Sequence, residues 1–172
     1  MDFALYMIRS NKKIILWLPR IFWNLFKYKL CIIKKEKMET AVNSFLRSCL
    51  PDKEELMKQV RSFWNSYGER LDQEIISKVG PDDAIVTAGP GFLLNEIIHR
   101  LGTSHLICSE VDLDSKKVVC LNFSDNKVRH YREIFGEVMI DSFYTDSYND
   151  QAMMDISKEV FLVDKGKIKK IK

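Results

Sequence analysis

The spacing of apolar residues changes along this chain. Up to about Leu71 they recur at helical spacing. Residues 35–47 place Met38, Val42, Phe45 and Leu46 on one face, and residues 52–66 do the same with Leu56, Val60, Phe63 and Trp64. Pro51-Asp52 opens the second of these helices, with Glu54 and Glu55 well placed in its first turn. Pro19 can start an earlier helix, and no glycine occurs before Gly68. From about Glu69 to Phe161 short apolar runs alternate with helical stretches. Asp83–Thr87, His105–Cys108, Lys117–Leu121, Val138–Ile140 and Val160–Val163 read as strands. Residues 92–101, 126–135 and 149–156 read as helices. The alternation predicts an α/β chain: a helical cap region over 1–71, then a Rossmann-like parallel sheet with flanking helices over 72–172. In such sheets ligands bind beyond the carboxyl ends of the strands. The lysine-rich tail, Lys165–Lys172, is expected to be a solvated, frayed end.

Composition narrows the class. With 172 residues, 46% hydrophobic and 30% charged, the chain is no disordered, collagen-like or disulfide-stapled protein. The net charge of +3 is unevenly spread: +7 over residues 1–50 and −4 over the remainder. That basic region lacks a recognisable nucleic-acid module, so no nucleic-acid partner is expected. Cys31, Cys49, Cys108 and Cys120 show no C-x-x-C spacing, and read as free thiols of a reducing, cytoplasmic setting. Residues 14–33 look membrane-seeking, but Pro19, Arg20, Lys27 and Lys29 argue against a span. No small-residue cleavage site follows. Ile21–Ile33 reads as a basic, aromatic amphipathic helix. It can pack on its own domain or lie on an anionic membrane surface, and packing is the expectation.

Three places carry candidate chemistry. Strand Asp83–Thr87 ends in a hydroxyl followed by Gly89-Pro90-Gly91 and a helix start, a combination that can seat a phosphate or form a plain turn. Asp141 to Asp150 carries carboxylates at Asp146 and Asp150, four apart in a loop entering a helix. Such a pair can share a hard cation such as Mg²⁺, or can cap the helix. Lys127 sits in the first turn of a helix, where the dipole disfavours a cation, a mild pointer to function. His99, His105 and His130 show no Cys or carboxylate partner at triad or ligand spacing, and read as structural or exposed.

Taken in order, these residues resemble motifs of the haloacid dehalogenase superfamily, in its phosphoserine-phosphatase-like branch. Ile85-Val-Thr-Ala-Gly-Pro-Gly-Phe-Leu is similar to the second motif, Asn126-Lys-Val-Arg to the lysine motif, and Asp146-Ser-Tyr-Asn149-Asp150 to G-D-x-x-N-D, with Thr145 replacing the glycine. The resemblance spans Asp82–Val163. It implies Mg²⁺-dependent hydrolysis of a small phosphorylated metabolite. Thr87 and Lys127 would then serve the transferring phosphoryl group, Ala88, Gly89 and Asn149 would bind phosphate, and Asp146 and Asp150 would hold the metal.

The same resemblance exposes a gap. The branch's nucleophile lies in D-x-D-x-T at the end of its first strand, and no D-x-D-x-T occurs in this sequence. Met1-Asp-Phe-Ala-Leu-Tyr is similar to a position just downstream of it, inside the first cap helix. Activity is therefore expected to be impaired. The alternative is an inactive phosphate-binding scaffold with a basic amphipathic N-terminal region. The absent strand would be central, so its two neighbours would be left unpaired or forced together, and the chain is expected to be poorly stable alone.

Overall fold

The computed structural model describes residues 2–30, 32–164 and 166–172. Cys31 and Lys165 lie outside them, so the free-thiol reading of Cys31 has no structural counterpart here. The chain is α/β, with two three-stranded mixed sheets. It divides into two compact units. One is Met1–Glu69 with Val111–Val119, and the other is Arg70–Glu110 with Cys120–Lys172.

The first unit is helical: α1 (Asp2–Ser10), α2 (Lys13–Lys29), α3 (Lys35–Cys49) and α4 (Lys53–Tyr67). Asp52 caps α4 by accepting from the Glu55 N–H at 2.9 Å. Leu56, Val60 and Phe63 make its buried stripe, and Met38, Ala41, Leu46 and Cys49 that of α3. Phe63 anchors an aromatic cluster, stacked on Tyr67 at 4.9 Å with Phe3 and Tyr6 edge-on. Residues 111–119 join this unit through polar links. Asn43 Oδ1 accepts from the Val118 N–H at 2.7 Å, and Lys116 Nζ donates to the Leu50 carbonyl at 2.8 Å.

Helix α2 corrects two expectations. Pro19 lies inside it rather than at its start. A proline costs the helix one backbone hydrogen bond, and contacts of the preceding turn hold it: Ile14 is buried, and Trp17 meets Phe45 edge-on at 6.3 Å. The aromatic stripe of Ile21–Ile33 does not pack as a whole. Phe22, Trp23 and Phe26 are more than half exposed.

β1 (Ala84–Pro90), in the second unit, pairs in parallel with β2 (His105–Asp112), and β3 (Lys117–Cys120) is the third strand of that sheet. Thr103 ties the starts of β1 and β2. Its Oγ1 donates to the Asp83 carbonyl at 2.5 Å and accepts from the His105 N–H at 2.9 Å. Gly102 precedes it at φ +79, where a Cβ would stand 2.8 Å from the Val79 carbonyl oxygen, so only glycine fits. β4 (Ile140–Thr145) pairs in parallel with β5 (Ser157–Asp164), and β5 pairs antiparallel with β6 (Lys167–Lys170). Ile97, Met153, Met154 and Val160 are buried in this unit. Helix α7 (Asp125–Phe135) lies against β1.

Four boundaries differ from the sequence reading. The helix expected over 92–101 reduces to one turn, α6 (Gly91–Leu94), and a short 3-10 segment, Ile98–Arg100. The strand expected at Val138–Ile140 starts at Ile140 and runs to Thr145, so Asp141–Thr145 is strand rather than loop. The helix expected over 149–156 splits into a 3-10 turn, Tyr148–Asp150, and α8 (Gln151–Asp155). The lysine tail is partly strand: Lys170 reaches Glu159 across the β5–β6 pair, so its apparent excess charge is paired there. β1 and β4 are end strands of different sheets, each hydrogen-bonded to one neighbour among the described residues, and they do not pair with each other.

Candidate functional site

Lys127 places its cation in the first turn of α7 and is buried. A buried ammonium requires a partner. Its Nζ lies 2.5 Å from Asp150 Oδ1, and both side chains are largely withdrawn from water, at 10% and 18% exposure. Thr145, the buried last residue of β4, donates its Oγ1 hydrogen to Asp150 Oδ2 at 3.1 Å. Thr145 Oγ1 also accepts from the Ser147 N–H at 3.2 Å, which shapes the turn leaving the strand. The structure thus joins Lys127, Thr145 and Asp150 although 23 residues separate the ion pair in sequence. Asp146 and Asn149 flank them and are exposed, and the Asn149 N–H and Nδ2 both donate to Ser147 Oγ.

Thr87 ends the regular part of β1. The parallel register with β2 breaks between Val86 and Pro90, so Thr87-Ala88-Gly89 forms an irregular bend. Thr87 Oγ1 accepts from the Gly89 N–H at 3.0 Å. That leaves the hydroxyl hydrogen free to donate, and commits the Gly89 amide internally. Ala88 is exposed, and its carbonyl accepts from Ser109 Oγ at 2.9 Å. The expected helix dipole behind this bend is absent, because α6 is a single turn.

Asn122, with no residual exposure, is the feature that sequence reasoning missed. Its Nδ2 donates to the Thr87 carbonyl at 2.8 Å and the Ile107 carbonyl at 2.9 Å. Its N–H donates to Ser109 Oγ at 2.9 Å. With both amide hydrogens on carbonyls, Oδ1 must accept, so His130 Nδ1, at 2.9 Å, carries the hydrogen. His130 Nε2 accepts from Arg129 at 2.9 Å and lies 3.2 Å from Cys120 Sγ. His130 is thus structural, as one half of the sequence reading had it, but with Asn122 and Cys120 as neighbours that spacing did not show. Strand, turn and helix bring 120, 122 and 130 together at a spacing no triad pattern encodes. His105 meets Phe135 edge-on at 5.4 Å.

The other thiols are quiet. Burial pushes the Cys49 thiol up, with Lys13 partly opposing it. Burial, then the charges of Glu110 and Cys120, push Cys108 up. A raised value means less thiolate at pH 8. Both are expected to react with iodoacetamide more slowly in the folded chain than in urea, with the gap closing as the pH rises. Peptide mass spectrometry against time checks this.

For a cation, Asp150 already gives its two oxygens to Lys127 and Thr145. Among the described residues no three His, Cys, Asp or Glu side chains gather as a metal cage. The donor set fits Mg²⁺ only in the form in which one carboxylate, Asp146, is completed by waters and phosphate oxygens.

No family model matches the chain, and no curated protein matches it. A crystal structure of a protein with unknown function from Bordetella pertussis Tohama I is similar in fold. Its TM-score is 0.68 at 19% identity, over 92% of this chain and 81% of that chain. Among the described residues no helix is long and apolar enough to cross a membrane.

Proposed function

We propose that the second unit is a phosphate-handling domain of the haloacid dehalogenase phosphatase kind, with a Rossmann-like ancestry and a small phosphomonoester as its ligand. The observation that supports this reading is the buried Lys127–Asp150–Thr145 group at the carboxyl end of β4, on a helix that also lies against β1, the strand of Thr87. Two motifs distant in sequence converge where an α/β sheet binds ligands. Asp150 orients Lys127. The Lys127 ammonium supplies fixed positive charge toward phosphoryl oxygens, and the Thr87 hydroxyl donates a hydrogen bond to them. Mg²⁺, where bound, would be held by Asp146 and would neutralise phosphate charge. The chain carries no D-x-D-x-T, so binding rather than turnover is the function proposed for it alone.

Titration calorimetry with inorganic phosphate in Mg²⁺ buffer tests this. Binding is expected, and Thr87→Val and Asp146→Asn should each weaken it at least about tenfold, the equivalent of one lost charge-assisted contact. Asp146 is exposed, so its substitution leaves the fold intact. Hydrolysis of p-nitrophenyl phosphate should stay at the background rate. Absence of phosphate binding, or equal binding by both variants, would overturn the reading.

A further inference from the structure

Helix α2 carries a surface that the proposed phosphate site does not use. Ile15, Leu16, Phe22, Trp23 and Phe26, with Leu30 just past its end, are each at least half exposed, and Leu16 reaches 80%. At about 100° per residue these positions fall within roughly 120° of the helix circumference, with exposed Pro19 in the same arc. They form one continuous apolar stripe rather than scattered exposed residues. The opposite side carries buried Ile14 and Trp17, which packs on Phe45 of α3. The stripe is thus the outward face of a helix already docked by its other side.

Charge lies along the border of that stripe. Lys13, Arg20 and Lys27 are seven residues apart and line one edge of it. Lys27 Nζ sits 5.0 Å from the Trp23 ring centroid, holding an aromatic plane and a cation at the same level. From residue 3 to residue 35 the sequence holds eight Lys/Arg and no Asp or Glu.

From this arrangement we infer that α2 is an interfacial helix that seats the chain on an anionic phospholipid bilayer. The apolar stripe enters the headgroup–acyl boundary, and the Lys13–Arg20–Lys27 row meets lipid phosphates. Trp23 and Phe22 sit at the boundary that aromatic side chains favour. A second copy of the chain fits the face poorly, because it would set two cation rows together with no acidic residue between positions 3 and 35 to pair them. A nucleic acid would use the cations and leave the stripe in water.

The test uses the full chain and sedimenting vesicles, either phosphatidylcholine alone or with about a third phosphatidylglycerol. Sedimentation with the anionic vesicles is expected, accompanied by a blue shift in tryptophan emission. Neither is expected with the neutral vesicles, and high salt should weaken the association. Phe22→Ser with Trp23→Ser should reduce partitioning at least about tenfold. So should Lys13→Gln with Arg20→Gln and Lys27→Gln. Both sets alter outward-facing side chains, and matching thermal melts confirm that the fold is kept. Lys169→Gln, on exposed β6, should change nothing. Three results would each overturn the inference: no sedimentation with anionic vesicles, unchanged sedimentation of the Phe22/Trp23 variant, or a vesicle-free doubling of mass that the same variant abolishes.

Discussion

Lys127→Met should destabilise the second unit by about 3 kcal/mol. For a chain of this size that lowers the melting temperature by roughly 6–12 °C. The substitution leaves Asp150, only 18% exposed, with a carboxylate facing a methionine and one remaining donor, Thr145 Oγ1. Removing one partner of a buried pair is costly because the other stays charged and poorly solvated. Asp150→Leu strands the ammonium and should cost a similar amount. The double variant should recover more than half of the summed loss, since it removes both charges together. Urea unfolding of the four chains measures the coupling, and simple additivity would show that the two groups do not depend on each other. The exposed Lys158–Asp141 pair, at 2.6 Å, is the contrast. It is open to solvent and screened, so its loss should shift stability by less than about 1 kcal/mol.

Asn122→Ala should cost about 3 kcal/mol, although the residue touches no proposed ligand. One side chain satisfies the carbonyls of Thr87 and Ile107 and orients His130. Its loss removes a hydrogen bond from the part-buried Thr87 carbonyl, the buried Ile107 carbonyl and the His130 ring, and each such loss costs on the order of 1–3 kcal/mol, partly relieved by water. Thr87 should lose its fixed position as well, so phosphate affinity should fall in Asn122→Ala even at temperatures where the variant is fully folded. Thermal denaturation and calorimetry on the same preparation separate the two effects. A melting temperature within 2–3 °C of the parent, about 1 kcal/mol, would refute the assignment of Asn122 as a structural bolt.

Local rules carried much of the element reading. The period of Leu56, Val60 and Phe63, with Asp52 before them, locates α4 to within a residue. Parallel pairing of β1 with β2 and of β4 with β5 follows from strand–helix alternation. Long-range compensation was hidden. Pro19 survives inside α2 because tertiary packing outweighs one lost backbone bond. Residues 167–170 read as part of a frayed end because their strand partner, Phe161–Asp164, is set by β5 and not by their own composition. For the candidate site, Lys127 was visible as a cation placed against the helix dipole, and Asp150 as part of a carboxylate pair. Their mutual pairing was not visible, since no residue spacing encodes which carboxylate a buried lysine chooses. Asn122 gave no signal because its side-chain partners, two backbone carbonyls and the His130 ring, come from other elements.

The first unit also has an unusual dependence on chain order. Its contacts include residues 111–119, so the bond from Val118 to Asn43 closes a span of 75 residues and that from Lys116 to Leu50 a span of 66. Closing such spans costs loop entropy before any contact rewards it. During synthesis, α3 and α4 emerge well before the segment that completes them, and β1 is made in the interval. The helical unit therefore cannot finish folding as an N-terminal piece. A ribosome-bound chain halted before residue 111 should show α4 forming while the Asn43 and Leu50 partners stay unpaired.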